Sequence, residues 1–561
     1  MKNNKLRNIL LLMALVLAAS APLFCSGLFL PDPGHDLQFH LQRIAGLAQA
    51  LAAGRFPVQI DPWWISDTGY AVSAFYPDLF LLPSALLVNG GLSLELSYKL
   101  LLAAINIVSC LLAFRSFRRI SQKESLAWLG TILFVLAPYR LTDLYLRNAL
   151  GENLAMMFLP LAAESLYTIY HADGSDAGAW RRMGLAYAGI CLSHPLSLFM
   201  AGLFTLIYVL MQGSKTGQKP VWTALLKGTG LAVLLSLWFL VPLIRFSSSN
   251  RLLMDTMYRD VYQEAVYEWQ LLEFFSPVRG PSMHLTEGTA GEMPFYLGWS
   301  LLIGLIVLII LLARRKASGR AVWQIVLLSL LSMWMCTRLF PYDQLQKNPV
   351  TDYFVTKVQY PWRFEMEATL FLGLAAMAAA SFLRGRTGKV FRTAVIFLAV
   401  LQAGLNLSSL IANATVIHVE SASDLDSTNY MGGEFLPADY QNGFLSGDLQ
   451  PESSGLKISS WQKDGQTITI SAANRTGETQ TLVLPLTYYA QYHASSDRGL
   501  SFPVMDSGDG RVAVAVPAGY SGTVQVSCPI PLSDDLCIAV SLGTLVLLVL
   551  FRPRPESLKT R

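Results

Sequence analysis

A chain in which apolar segments long enough to cross a membrane recur from end to end, separated by basic clusters, has few folds open to it. The candidate spans are 9–30, 97–114, 124–138, 152–170, 183–194, 196–212, 222–245, 295–313, 321–337, 366–383, 393–411 and 536–551. Each approaches the roughly 20 apolar residues that a helix needs to cross the hydrocarbon core. Composition agrees. Of 561 residues, 53% are hydrophobic and 14% charged, and mean hydropathy is +0.42. A soluble domain carries about 25% charged residues. The expectation is a polytopic α-helical membrane protein of about twelve transmembrane helices.

Charge position sets the orientation. Basic residues cluster at Lys2/Lys5/Arg7, Arg115/Arg118/Arg119/Lys123, Arg181/Arg182, Lys215/Lys219, Arg314/Arg315/Lys316/Arg320, Arg384/Arg386/Lys389/Arg392 and Arg552/Arg554/Lys559/Arg561. Lys and Arg favour the cytoplasmic side. All seven clusters fall there, with both termini, provided that 76–92 stays outside. That stretch contains Pro77, Pro83 and Asn89-Gly90-Gly91 and reads as a re-entrant or juxtamembrane element buried against protein. Ala19-Ser-Ala21 mimics a signal-peptidase site, but Pro22 follows it directly, so the first helix is expected to be uncleaved. The net charge of +4 gives no nucleic-acid footprint.

Three parts follow. Residues 1–411 form a transmembrane domain with outer loops 31–96, 139–151, 246–294 and 338–365. Residues 412–535 differ in kind, because Leu456–Trp461, Gln466–Ser471, Thr479–Leu484, Arg511–Val516 and Gly522–Ser527 alternate and are rich in β-branched residues. With turn signals at Asp464-Gly465, Asn474 and Asp509-Gly510 they predict a small extracytoplasmic antiparallel sandwich. Residues 536–561 are a final span and a basic cytoplasmic tail. Of six cysteines, Cys25, Cys110, Cys191 and Cys336 lie in apolar segments and read as core hydrophobes. Cys528 and Cys537 leave a disulfide open.

Chemistry-bearing residues gather in the outer loops. A helix is predicted from Gly34 to about Ala53, lying along the membrane, with Asp36, His40 and Arg43 on one face at i, i+4 and i+7. This face reads equally as a solvated surface with a local ion pair or as a site. In the next loop Arg140, Asp143 and Arg147 share a face and Glu152 opens the following span. Here the alternative is an acid at a helix N-terminus beside a surface ion pair worth under about 1 kcal/mol. Ser193-His194-Pro195 marks a turn. In Gln359-Tyr-Pro-Trp-Arg-Phe364, Trp362 reads as an interfacial anchor and Arg363 as a phosphate ligand through paired N–H donors. No Walker A, GxSxG or HExxH motif is present.

The order of these motifs carries a resemblance. Gly34-His-Asp36, His40 and Arg43 are followed by Gly54-Arg-Phe-Pro57 and Phe75-Tyr-Pro77. Then come Ala137-Pro-Tyr-Arg-Leu141 with Asp143, Arg147 and Gly151-Glu152, then Ser193-His-Pro195, Tyr360-Pro-Trp-Arg-Phe364 and Gly433-Glu-Phe-Leu-Pro437. Together they resemble the bacterial membrane proteins labelled 6-pyruvoyl-tetrahydropterin synthase-related, which are similar to GT-C glycosyltransferases. That resemblance covers nearly the whole chain. It implies a GT-C-like fold in the bacterial cell membrane, transferring a hexose or pentose from a polyprenyl-phosphate donor to an extracytoplasmic glycan, lipid or wall-polymer acceptor. It matches Asp36 to the acid of the first outer loop, with His40 beside it, and Asp143 or Glu152 to the second acidic site. Arg43, Arg147, His194 and Arg363 would then hold the donor phosphate. The first loop has one aspartate and not an Asp-x-Asp pair, which leaves a divalent cation (Mg or Mn) open. Two rival functions are a flippase for lipid-linked glycans and a membrane scaffold whose outer domain binds glycan.

Overall fold

Helices form where the apolar segments predict them, but they are shorter and more broken. The structure is a computed structural model that describes residues 2–30, 36–277, 293–426, 433–440 and 450–551. His35, residues 278–292 of the third outer loop and the basic cluster beyond Phe551 lie outside the described residues. Among the described residues, six helices are long and apolar enough to cross a membrane: Leu94–Ser121, Pro195–Gly217, Lys219–Ser249, Pro361–Phe382, Gly385–Asn413 and Leu532–Leu550. Glu124–Val135 and Pro138–Tyr145, bent by 44° at their junction, make a seventh if taken as one span. The chain is a multi-pass membrane protein, and the expected twelve spans become six or seven by length and composition.

Proline accounts for much of the shortfall, since its ring cannot continue a helix past a preceding carbonyl. Pro138 opens the bent half of the third segment. The expected span 152–170 is split into Leu150–Met156 and Leu159–His171, with Pro160 in the first turn of the second. The first helix runs Lys2–Ala19 and stops before a 3-10 turn containing Pro22. The rest of that apolar run becomes strand β1 (Leu28–Leu30), which pairs antiparallel with β2 (Thr415–Ile417). Trp299–Ala313 and Arg320–Cys336 are apolar but shorter than a span.

Helix Pro361–Phe382 is the centre of the bundle, buried along nearly its whole length and packed against Trp299–Ala313, Arg320–Cys336 and Glu124–Val135. Basic groups meet at one end. Arg7 and Arg118 both pair with Glu124, Arg181 donates to the Phe551 carbonyl, and Arg320 donates to the Met211 carbonyl. At the other end the stretch 76–92 contains helix Leu82–Asn89. Its eight residues reach about 12 Å, too short to cross. Asn89 Nδ2 donates to the Ala48 carbonyl at 2.9 Å, tying it to helix Leu37–Ala52.

The β domain sits at that same end. A five-stranded antiparallel sheet has the order β3 (Leu456–Asp464), β4 (Thr467–Asn474), β10 (Ser521–Ser527), β6 (His493–Ser496), β7 (Ser501–Phe502). A second sheet has the order β5 (Gln480–Thr487), β9 (Arg511–Val516), β8 (Val504–Asp506). Alternation drives both. In β4, Ile468, Ile470, Ala472 and Asn474 point inward and their neighbours outward. They meet Leu482, Leu484, Val512, Val514, Val524 and Val526 from both sheets in one core. That core also takes in Phe75 and Phe246, and Phe75 stacks on Phe435 at 4.8 Å. The domain is therefore docked on the bundle by shared apolar packing, and just beyond it Arg245–Asp534 at 2.6 Å ties helix Leu532–Leu550 to helix Lys219–Ser249. Cys528 and Cys537 are free thiols.

Candidate functional site

Helix Leu37–Ala52 does not lie on a surface. It is buried on almost every side, because its polar face meets protein. Arg43 Nη2 donates to the carbonyls of Tyr76 (3.0 Å) and Pro77 (2.8 Å) and to Asp78 Oδ1 (2.8 Å). Its guanidinium lies 4.1 Å from the Tyr76 ring centroid. Arg43 thus clasps the first loop onto its own helix.

Asp36 stands half-buried at the start of that helix, and its backbone N–H donates to the Arg147 carbonyl at 3.0 Å. The second loop supplies the charges around it. Helix Pro138–Tyr145 ends at Leu146, which turns Arg147 back over the helix. Arg147 Nη1 pairs with Asp143 and, at 2.8 Å, with Glu152 Oε2. Arg363 Nε lies 2.5 Å from the other Glu152 oxygen. Tyr139 donates to Glu152 Oε2 at 3.0 Å, and Asn153 to Asp143 Oδ2 at 2.6 Å. All these charged groups are buried. Trp362, read from sequence as an interfacial anchor, is instead 1% exposed, with the Arg147 guanidinium 4.2 Å from its ring.

His40 and His194 approach the same place through Tyr76. The Tyr76 ring lies 5.7 Å from His40 and 5.4 Å from His194. Its hydroxyl lies so close to Gly151 that any Cβ there would collide with it, so Gly151 is required for this approach. His194 Nδ1 is 2.9 Å from Ser197 Oγ, and among the described residues His40 Nε2 is buried without a hydrogen-bond partner. Asp36, His40, Asp143, Arg147, Glu152, His194 and Arg363 are thus drawn into one buried cluster. Arg140, which shared a predicted face with Asp143 and Arg147, points elsewhere and bonds Asn106 Oδ1 (2.9 Å), Ser109 Oγ (3.2 Å) and the Val135 carbonyl (3.1 Å). It is a packing residue of the bundle.

Burial pushes the Asp36 carboxyl up to about 6, with Arg147 and Arg363 opposing the rise. Burial pulls the His40 imidazole well below its usual range, and Arg43 adds to this. His194 is held down to about 3 by burial, with Glu152 opposing. Both imidazoles are therefore neutral near pH 7, and Asp36 can titrate close to it.

Several residues of the site escaped the sequence reading. Arg259 lies with its guanidinium 4.5 Å from the Tyr360 ring, and Arg363 lies 4.9 Å from the same ring. Among the described residues Arg259 Nη1 is buried without a hydrogen-bond partner, and its charge acts on Glu434 together with those of Asp36 and Arg363. Nothing in its local sequence announces it. Glu365 and Glu367 are fully buried, and among the described residues all four carboxyl oxygens lack hydrogen bonds. Two acids in the first turn of an apolar helix were the available signal. Glu367, one turn beyond Arg363, lines an apolar groove of about 110 Å³ together with Leu159, Phe204, Leu328, Leu370 and Phe371. Among the described residues no three His, Cys, Asp or Glu side chains converge as metal ligands. The oxygens of Asp143 and Glu152 face Arg147, Arg363, Asn153 and Tyr139, a donor set that suits ion pairing better than a cation.

Residues 100–371 match the model of a domain of unknown function, DUF6311. An uncharacterized protein of Lactococcus lactis subsp. cremoris (strain MG1363) is 27% identical over 222 residues, which is 38% of this chain and 35% of the relative. The chain thus spans about a third of the length of that curated relative. Among solved structures, arabinofuranosyltransferase AftD from Mycobacteria is similar with TM-score 0.45 and 17% identity, over 72% of this chain and 27% of that one. The Archaeoglobus fulgidus oligosaccharyltransferase in the apo form gives TM-score 0.46 and 11% identity, over 73% and 56%. The pterin synthase-related label is not supported by these matches; what they supply for the stretch 100–371 is similarity to DUF6311.

Proposed function

We propose that the protein is a GT-C-type glycosyltransferase that moves a sugar from a polyprenyl-phosphate donor to an acceptor hydroxyl outside the cytoplasm. The observation that carries this reading is the buried cluster itself. An aspartate poised near neutral pH stands beside buried arginines, next to an apolar groove lined by Leu159, Phe204 and Phe371. The motif order in the sequence supports the same class. Orientation follows from the basic groups at the end opposite the β domain, since Lys and Arg favour the cytoplasm.

The chemistry divides as follows. The donor phosphate rests against Arg363 and Arg259, which share the Tyr360 ring, with Arg147 and His194 behind them. Asp36 takes the proton from the acceptor hydroxyl as its oxygen attacks the anomeric carbon. The bond from that carbon to the phosphate oxygen breaks, and the polyprenyl phosphate leaves with its added charge facing the arginines. His40, neutral and one turn along the helix from Asp36, orients or shares the transferred proton. Asp143 and Glu152 hold Arg147 and Arg363 in place.

Positioned general-base catalysis contributes on the order of 10²–10⁴-fold in rate. Purified Asp36→Asn protein in lipid nanodiscs, supplied with radiolabelled polyprenyl-phosphate hexoses and pentoses, should lose transfer by about that factor while staying folded. Full turnover by this variant would sink the assignment. Unchanged envelope glycans with altered lipid sidedness in a deletion strain would favour the flippase instead.

A further inference from the structure

Helix Leu37–Ala52 separates the ionic cluster from a second cleft. Its far face, about 130° round the helix from Asp36, His40 and Arg43 at 100° per residue, carries Gln42 and Gln49. These line an open space of about 440 Å³ with Trp63, Trp64, Asp67 and Ser423. The volume falls in the range of ordinary ligand clefts, about 300–1,000 Å³. The cleft lies at the β-domain end of the molecule, where Asp67 is exposed.

The wall of the cleft is built with care. Ile65, Ser66 and Asp67 occupy the left-handed region in succession, at φ +58°, +53° and +65°. Such backbone costs on the order of 1–3 kcal/mol per residue and persists only where its surroundings impose it. Here they do. Paired backbone hydrogen bonds between Asp61 and Tyr70 close the loop (2.8 and 2.9 Å). Thr68 Oγ1 meets Thr487 Oγ1 of the β domain at 2.9 Å, and Lys463 Nζ donates to the Asp67 carbonyl. Trp64 is fixed by stacking on Tyr70 at 5.2 Å and by an edge contact with Phe39 at 5.5 Å.

This rigid wall leaves polar groups without partners. Trp64 is 0% exposed, yet among the described residues its Nε1–H has no acceptor, and Gln49 Oε1, of another residue lining the cleft, has no donor. Buried polar groups are ordinarily satisfied, and exceptions call for an explanation. An unsatisfied donor and an unsatisfied acceptor on one cleft complement a hydroxyl, which both donates and accepts. Trp63, half-buried, lines the same cleft and supplies an aromatic ring of the kind that packs against the C–H side of a sugar. Among the described residues no Lys or Arg lines the cleft, and Asp67 does, which favours a neutral ligand over an anionic one.

We infer that this cleft is a binding subsite for neutral oligosaccharide, separate from the ionic cluster, with Trp63 as its stacking platform and Trp64, Gln49 and Gln42 as its hydrogen-bonding groups. Its part in transfer rests on the glycosyltransferase reading above: the cleft would hold a glycan chain alongside the β domain while chemistry proceeds on the other side of the helix.

Binding is measured directly. Full-length protein in nanodiscs is titrated with maltotriose, mannotriose and arabinotriose by isothermal calorimetry and by saturation-transfer NMR. At least one of the three should bind, and Trp63→Ala should weaken it by about tenfold or more. Gln49→Leu, close in shape and on a rigid helix, should weaken it in the same direction and guards against local unfolding in the first variant. Unaltered thermal midpoints verify the fold of both. Failure of all three sugars to bind the wild-type protein overturns the proposal, and so does binding that both variants leave within about twofold. Because the readout is binding and not transfer, this outcome is distinct from that of Asp36→Asn, which is read through turnover.

Discussion

The ionic cluster and the β-domain core are both dry, yet they are dry for opposite reasons. In the β domain, Ile470, Leu484, Val514 and Val524 are buried because removing apolar surface from water is favourable, at about 25 cal/mol per Å². In the cluster, Asp143, Arg147, Glu152 and Arg363 are buried against a desolvation penalty that their mutual attraction only roughly offsets. A hydrophobic core of the same size would serve stability at least as well. The contrast teaches where selection acts on each region: on packing in the β domain, on charge placement in the cluster.

Removing one partner from the cluster should give the largest stability effect. Arg147→Met leaves Asp143 without a cation and Glu152 with Arg363 alone, and breaking a buried pair in this way costs about 3–5 kcal/mol. Thermal unfolding in nanodiscs should show it. A variant as stable as wild type would mean that water reaches the cluster and that the contrast with the β domain is false.

Acidity should give a middle-sized effect. With Asp36 held at about 6 and acting as the base, turnover should fall about tenfold per pH unit below that value, each unit corresponding to about 1.4 kcal/mol. The stability term has the opposite sign. Because the folded state binds this proton more tightly than the ordinary value of 3.8, the contribution of Asp36 to stability is full below 3.8 and is lost as pH rises through about 6. A low-pH loss of rate therefore cannot come from unfolding driven by this group. A flat pH–rate profile between pH 5 and 7, measured with chemistry rate-limiting, would remove Asp36 from the role of base.

The smallest effect belongs to the β-domain core. Ile470→Val should cost about 0.5–1.5 kcal/mol, seen as a lower thermal midpoint, with no change in turnover per folded molecule. A change in turnover would show that the docking through Phe75 and Phe246 couples domain packing to the cluster.

Legibility followed the same division. Strand β9 (Arg511–Val516) coincides with its predicted range, because period-two alternation is local and survives any tertiary context. The short strands β6, β7 and β8 carry too few residues for a period to register. The pairing of β1 with β2 joins segments far apart in sequence, which no local pattern encodes. In the site, Asp143 and Glu152 were visible as charges bordering hydrocarbon, whereas Arg259 was invisible because it reaches Tyr360 across the fold. Arg43 was visible as a cation but not as a clasp, since its acceptors at Tyr76, Pro77 and Asp78 belong to another part of the loop.

By itself, then, the sequence determined the multi-pass helical character, the separate β domain and a short roster of charged residues. These follow from hydropathy, alternation and the cost of placing charge near lipid, each of which acts over a few residues. Only the tertiary structure decided how many helices are long enough to span, which arginine faces which acid, and that Arg140 belongs to packing while Arg259 belongs to the site. Those outcomes depend on helix breaks, on distances between remote segments and on burial, and burial is a property of the whole fold.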